Sequence, residues 1–121
     1  MDIFLPLDAD LRDLPVLLFM HGGAWTHGTK DWCDFMAPPI VQLPATFVSV
    51  GYRLIPHVSF PEPVMDCTAA LRWTFDHIAE FGGSPKKLMW TAPRQQYLCV
   101  PTTHSLFLRV LPFTKDCSGT G

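Results

Sequence analysis

Val16-Leu17-Leu18-Phe19-Met20 is a short, unbroken apolar run that leads straight into His21-Gly22-Gly23. No polar residue alternates within it, so the strand it predicts is covered on both faces, and the chain must supply a layer on each side. Two successive glycines at the end of such a strand admit dihedrals closed to other residues and let a ligand come close to the amide N–H groups. The plainer alternative is a turn.

The segments around that run fall into a pattern. Asp2-Ile3-Phe4-Leu5-Pro6 alternates polar and apolar residues before a proline, as an early edge strand does, and residues 8 to 15 form a polar connection. Between Lys30 and Gln42, Trp32, Phe35, Met36 and Ile40 recur at roughly helical spacing, with Pro38-Pro39 breaking or delaying the helix. Ala45 to Val50 is rich in β-branched and aromatic residues and is closed by Gly51, which predicts a second core strand. After a proline-rich loop, Val64, Cys67, Leu71, Phe75 and Ile78 mark a helix that opens at Pro63 and stops at Gly82-Gly83, with Trp73 and Phe75 expected to pack. Lys87-Leu88-Met89-Trp90 begins a third strand. Strands alternating with helices imply parallel pairing with crossover helices, an α/β fold. Ligands in such sheets bind beyond the carboxyl ends of strands, where His21-Gly22-Gly23 falls.

Composition narrows the partners. With 121 residues, 48% of them hydrophobic, and a net charge of −2, the chain reads as a globular protein of one domain at most. Lys and Arg are scattered apart from Lys86-Lys87, which argues against nucleic acid. Asp2 and Asp8 stand where a secretory signal needs positive charge, and no apolar run approaches the ~18 residues of a membrane span. The expectation is a soluble, cytoplasmic chain. Cys33, Cys67, Cys99 and Cys117 are too far apart for a C-x-x-C motif and are expected as free thiols.

Four blocks then carry a family resemblance. His21-Gly22-Gly23-Ala24-Trp25 resembles the H-G-G-x-W oxyanion signature of α/β-hydrolases of the esterase and lipase type, the hormone-sensitive-lipase-like and kynurenine-formamidase-like enzymes among them. Gly51 to Pro56 with Phe60-Pro61 resembles N-Y-R-L-A-P…F-P, with His57 where many members have Glu. Asp66 with Ala69 to Trp73 resembles D-x-x-A-A-L-x-W, and Glu80 to Leu88 resembles E-x-G-G-D-P-x-R-[IL]. The resemblance implies a partial α/β-hydrolase fold, ester or small amide substrates, and no metal or organic cofactor. It further implies that the N–H groups of Gly22, Gly23 and Ala24 form an oxyanion hole, that His21 orders the loop, and that Trp25 packs beneath the acyl pocket or lines it. Without the family, His21 reads as a satisfied loop histidine and Trp25 equally as core or pocket wall. Tyr52 and Arg53 are expected to hold the loop after the second core strand, Arg53 pairing with Asp66 or another carboxylate. Asp66 and Asp76 are expected at the surface or paired to arginine.

The resemblance ends near residue 89. The family's nucleophile is the serine of G-x-S-x-G, followed by an acid and a histidine, and no such pentapeptide occurs here. Ser105 and Ser118 lack that context. Residues 1–89 therefore read as the N-terminal half of a hydrolase domain and 90–121 as a divergent tail, from a shifted frame, an alternative exon or a misassigned gene model. The expectation is a hydrolase lineage without its nucleophile, prone to self-association through an open sheet edge. The alternative is a non-enzymatic interaction module on the same scaffold. A dinucleotide-binding reading fails because G-x-G-x-x-G is absent.

Overall fold

The computed structural model describes residues 1–7 and 12–92. Four strands, β1 (Asp2–Phe4), β2 (Leu14–Met20), β3 (Thr46–Val50) and β4 (Gly83–Thr91), form one sheet in the order β1-β3-β2-β4. β2 runs parallel to both neighbours, with Met20 beside Val50 and Leu17 beside Met89, while β1 is the antiparallel edge strand on β3. This is the mostly parallel α/β sheet expected from the sequence, with helices where the parallel pairs require crossovers.

β2 is less symmetrical than its sequence implies. Val16, Leu18 and Met20 are wholly buried against β3, β4 and the long helix α2 (Glu62–His77), whereas Leu17 and Phe19 on the other face are half-buried. That second face is covered by a 3-10 turn, Lys30–Met36, and the short helix α1 (Ala37–Val41), which lie over β3 and bring Cys33, Ala37 and Ile40 against Phe47. Burying a side chain such as Leu18 contributes about 1.5–3 kcal/mol, so most of the stabilisation sits on the α2 face. The prolines delay the helix as expected. Pro38 and Pro39 occupy the first turn of α1, where their missing N–H groups would have had no intrahelical partner.

α2 departs from its predicted stripe at one place. Trp73 and Phe75 were expected to pack, yet they are 38% and 39% exposed, and the buried positions are Val64, Cys67, Thr74 and Ile78. Thr74 tolerates full burial because its hydroxyl donates to the Ala70 carbonyl at 2.8 Å. Trp73 instead stacks on His77 with ring centroids 4.7 Å apart. A 3-10 turn, Ile78–Phe81, ends the helix at Gly82, whose N–H returns to the Ala79 carbonyl at 3.1 Å.

β4 begins at Gly83, earlier than Lys87, and runs through Thr91. It ends the sheet, with no strand on its outer side among the described residues. Ser105, Ser118, Cys99 and Cys117, with most of the expected 90–121 tail, lie outside the described residues. Cys33 and Cys67 are free and buried. Among the described residues, no helix is long and apolar enough to cross a membrane.

Candidate active site

The parallel strands β2 and β3 end together, and the chain leaving β2 folds into a tight loop over their carboxyl ends. His21, first in that loop, is only 2% exposed. Its ring stacks on Tyr52, the second residue after β3, with centroids 4.2 Å apart and planes 9° from parallel. The Tyr52 hydroxyl donates to the His21 carbonyl at 2.7 Å. His21 Nδ1 in turn donates to the Gly22 carbonyl at 2.8 Å. Burial pushes the His21 pKa below its ordinary value, and the bond to Gly22 opposes that shift without reversing it. The neutral ring with its proton on Nδ1 suits this geometry.

The next residues bend sharply. Gly23, Ala24 and Trp25 have φ of 130°, 52° and 66°. A Cβ on Gly23 would stand 1.9 Å from the His27 carbonyl oxygen, so only glycine fits. The Gly23 carbonyl closes the turn by accepting from the N–H groups of Thr26 and His27, both at 3.0 Å. Ala24 and Trp25 hold left-handed conformations that cost a residue with a side chain about 1–2 kcal/mol, and such strain collects at functional sites. Gly28, with φ of 107°, seals the loop from behind, since a Cβ there would stand 2.3 Å from His21 Nδ1 and 2.4 Å from the Gly22 carbonyl oxygen.

The consequence is an asymmetry within three peptide groups. The carbonyls of His21, Gly22 and Gly23 are all engaged, whereas the N–H groups of Gly22, Gly23 and Ala24 donate to no acceptor among the described residues. A cavity of about 400 Å³ lies at the same end of the sheet, lined by His21, Gly28, Lys30, Gly51, Tyr52 and Arg53 among others, and Gly22, Gly23 and Ala24 are not part of its wall. Trp25 stands on the inner side, edge-on to Tyr52 at 5.4 Å and packed against the main core, with its carbonyl accepting from Ile55 N–H at 2.8 Å.

Arg53 grips Asp66 on α2 through two guanidinium bonds of 2.8 Å each, and its own N–H adds a third at 3.0 Å. That arginine holds the Asp66 carboxyl below its usual pKa against a smaller opposing effect of burial. Asp76 pairs with Arg72 one turn away, and His57 is exposed. Both aspartates are therefore arginine-paired, one of the two placements the sequence left open. Oxygens of Asp2, Asp31 and Asp34 converge within 4.8 Å, but the Lys30 ammonium already bonds Asp2 and Asp31 and supplies the positive charge there. Burial, reinforced by the Asp66 charge, pushes the Cys67 thiol up to about 12, which leaves it inert as a nucleophile at neutral pH.

The structure thus brings His21, Gly22, Gly23, Ala24 and Trp25 into one loop. Gly28 and the Tyr52 hydroxyl complete it and escaped the sequence reading. The recurrence of His-Gly at His27-Gly28, five residues after Gly23, was the available signal for the first, whereas Tyr52 was expected only to hold the loop after β3 and not to reach across to the His21 carbonyl.

Residues 17–90 match the α/β hydrolase fold family. The chain belongs to that family. Carboxylesterase NlhH of Mycobacterium tuberculosis is 42% identical over 80 residues, which is 64% of this chain and 25% of the relative. Kynurenine formamidase of Danio rerio is 39% identical over 56 residues, 46% of this chain and 19% of that enzyme. Among solved structures, a bacterial heroin esterase superimposes with a TM-score of 0.65 at 34% identity, covering 74% of this chain and 28% of the other. The thermophilic carboxylesterase EstE1, from a metagenomic library, gives 0.66 at 32% identity, with 74% and 30% covered. This α/β hydrolase chain spans a quarter or less of the length of these curated relatives.

Proposed function

We propose that this α/β hydrolase chain descends from serine esterases acting on carboxylic esters or small amides, and that it keeps their oxyanion loop without their nucleophile. The observation that carries the reading is the set of unengaged amides at Gly22, Gly23 and Ala24, on peptides whose carbonyls are all held. Ester and amide hydrolysis passes through a tetrahedral oxyanion, and preorganised N–H donors aimed at that oxygen contribute on the order of 3 kcal/mol each to the transition state. Glycine at 22 and 23 keeps side chains clear of it, and Trp25 behind the loop supports the acyl side. His21 orders the loop through Nδ1. No G-x-S-x-G serine follows β4 within residues 90–121, so this stretch offers no nucleophile of the family's kind for attack on the acyl carbon. The proposal includes no cofactor, since the chemistry uses a side-chain oxygen and backbone donors.

Purified chain given p-nitrophenyl acetate and a fluorophosphonate probe tests this. Hydrolysis at the buffer rate with no labelling is expected. Turnover together with labelling of Ser105 or Ser118 would overturn the loss of the nucleophile.

A second reading, an interaction module that self-associates, is favoured by β4. Its outer edge faces no strand among the described residues, and Met89 on it is 41% exposed. A monodisperse dimer in sedimentation supports that reading, and a monomer removes it.

A further inference from the structure

We infer that Tyr52 is a positioning residue for the oxyanion loop, aiming the Gly22 N–H through the carbonyl of His21. The inference rests on the function proposed above and adds a residue to it. A trans peptide is planar, so its C=O and the following N–H point in opposite directions, and holding one aims the other. The Tyr52 hydroxyl holds the His21 carbonyl at 2.7 Å, and the same peptide carries the Gly22 N–H. His21 Nδ1 holds the Gly22 carbonyl at 2.8 Å and thereby aims the Gly23 N–H. Thr26 and His27 N–H groups hold the Gly23 carbonyl at 3.0 Å and thereby aim the Ala24 N–H. Each of the three donors is thus set by a different group, and only the first depends on a residue from outside the loop, Tyr52 just after β3. Tyr52 is suited to that task because its ring is already fixed, stacked on His21 and met edge-on by Trp25. Little side-chain freedom remains to be lost when the hydroxyl makes its bond.

Tyr52→Phe separates aiming from packing, because it removes one oxygen and leaves the stack. In the full 15N-labelled chain, the one-bond N–H residual dipolar coupling of Gly22 should depart from its wild-type value, while those of Gly23, Val50 and Gly51 stay. Methylphosphonate serves as the anionic probe. Its apparent affinity, read from the Gly22 amide shift, should fall about tenfold in the variant. An unchanged Gly22 coupling overturns the inference, and so does a change spread evenly over the loop and β3, which marks a merely structural role. Should wild-type amides ignore methylphosphonate, the proposed function fails, yet the Gly22 coupling still decides the role of Tyr52. If Tyr52→Phe does not fold, the chain labelled with 3,5-difluorotyrosine replaces it. Ionising the phenol by raising pH should then move the Gly22 coupling, and constancy overturns the inference.

Discussion

The two ends of the sheet carry cavities of different kinds. At the amino end, a cavity of about 580 Å³ lies among Asp13, Phe75, Asp76, Ser84 and Lys86. At the carboxyl end the cavity is smaller, about 400 Å³, but His21 and Gly28 in its wall belong to a loop that accepts only glycine at two positions and carries three amides without an acceptor among the described residues. At the amino end the polar groups answer one another, Lys87 and Ser84 bonding Asp13 and lowering its pKa, and Asp76 pairing with Arg72. Volume therefore does not mark the site. The site proposed above rests instead on donors held in place without an acceptor among the described residues, which leaves them ready for charge that the protein itself does not supply.

Substitutions that add a methyl group at the rim should be the most damaging. Gly23→Ala places a Cβ on the His27 carbonyl at a φ of 130°, and the combined strain and overlap should cost on the order of 3 kcal/mol in a urea titration. A loss below about 1 kcal/mol would mean that the loop relaxes easily and is not preorganised. Gly28→Ala should cost somewhat less, since part of its clash is with the movable His21 ring.

Acid should come next and act on the rim first. The His21 pKa lies below 6.5 in the folded chain, so the unfolded chain binds this proton more readily. The contribution is fully present above pH 6.5 and is lost as pH falls through the lowered folded value, with a slope of at most about 1.4 kcal/mol per pH unit. Melting temperatures measured from pH 7.5 downward should show this loss, and His21→Phe should abolish that part of it. Asp66, also held low, contributes above about pH 4 and loses its contribution only in stronger acid. Lys86→Ala at the amino end should be the mildest change, below about 0.5 kcal/mol, because the side chain is exposed.

Much of the sheet was legible because apolar runs such as Val16 to Met20 and Thr46 to Val50 admit few placements. Its parallel character followed from the helices between the strands. The Arg53–Asp66 pair was readable from residue types, since a guanidinium near a carboxylate in a loop-helix junction has few other partners. Periodicity misled at Phe75, because a buried Thr74 that bonds its own helix backbone looks polar in sequence. The start of β4 was hidden by the irregular pairing between Leu14 and Val16, which brings Gly83 into the strand well before the apolar residues begin. At the rim, glycine pairs suggested free amides, but the three separate holds on their carbonyls depend on residues brought together from just after β2, just after β3 and from the turn at 26–27. No local pattern encodes such a meeting.

Native-state amide exchange combined with 15N relaxation on Gly22, Gly23 and Ala24 tests the central claim most directly. Donors that are unengaged yet held in place should exchange at nearly unprotected rates while showing order parameters of about 0.85, as rigid backbone does. Strong protection would mean that an acceptor already occupies them, and order parameters below about 0.6 would mean that the loop is not preorganised. Either result would contradict a rim shaped to receive an oxyanion.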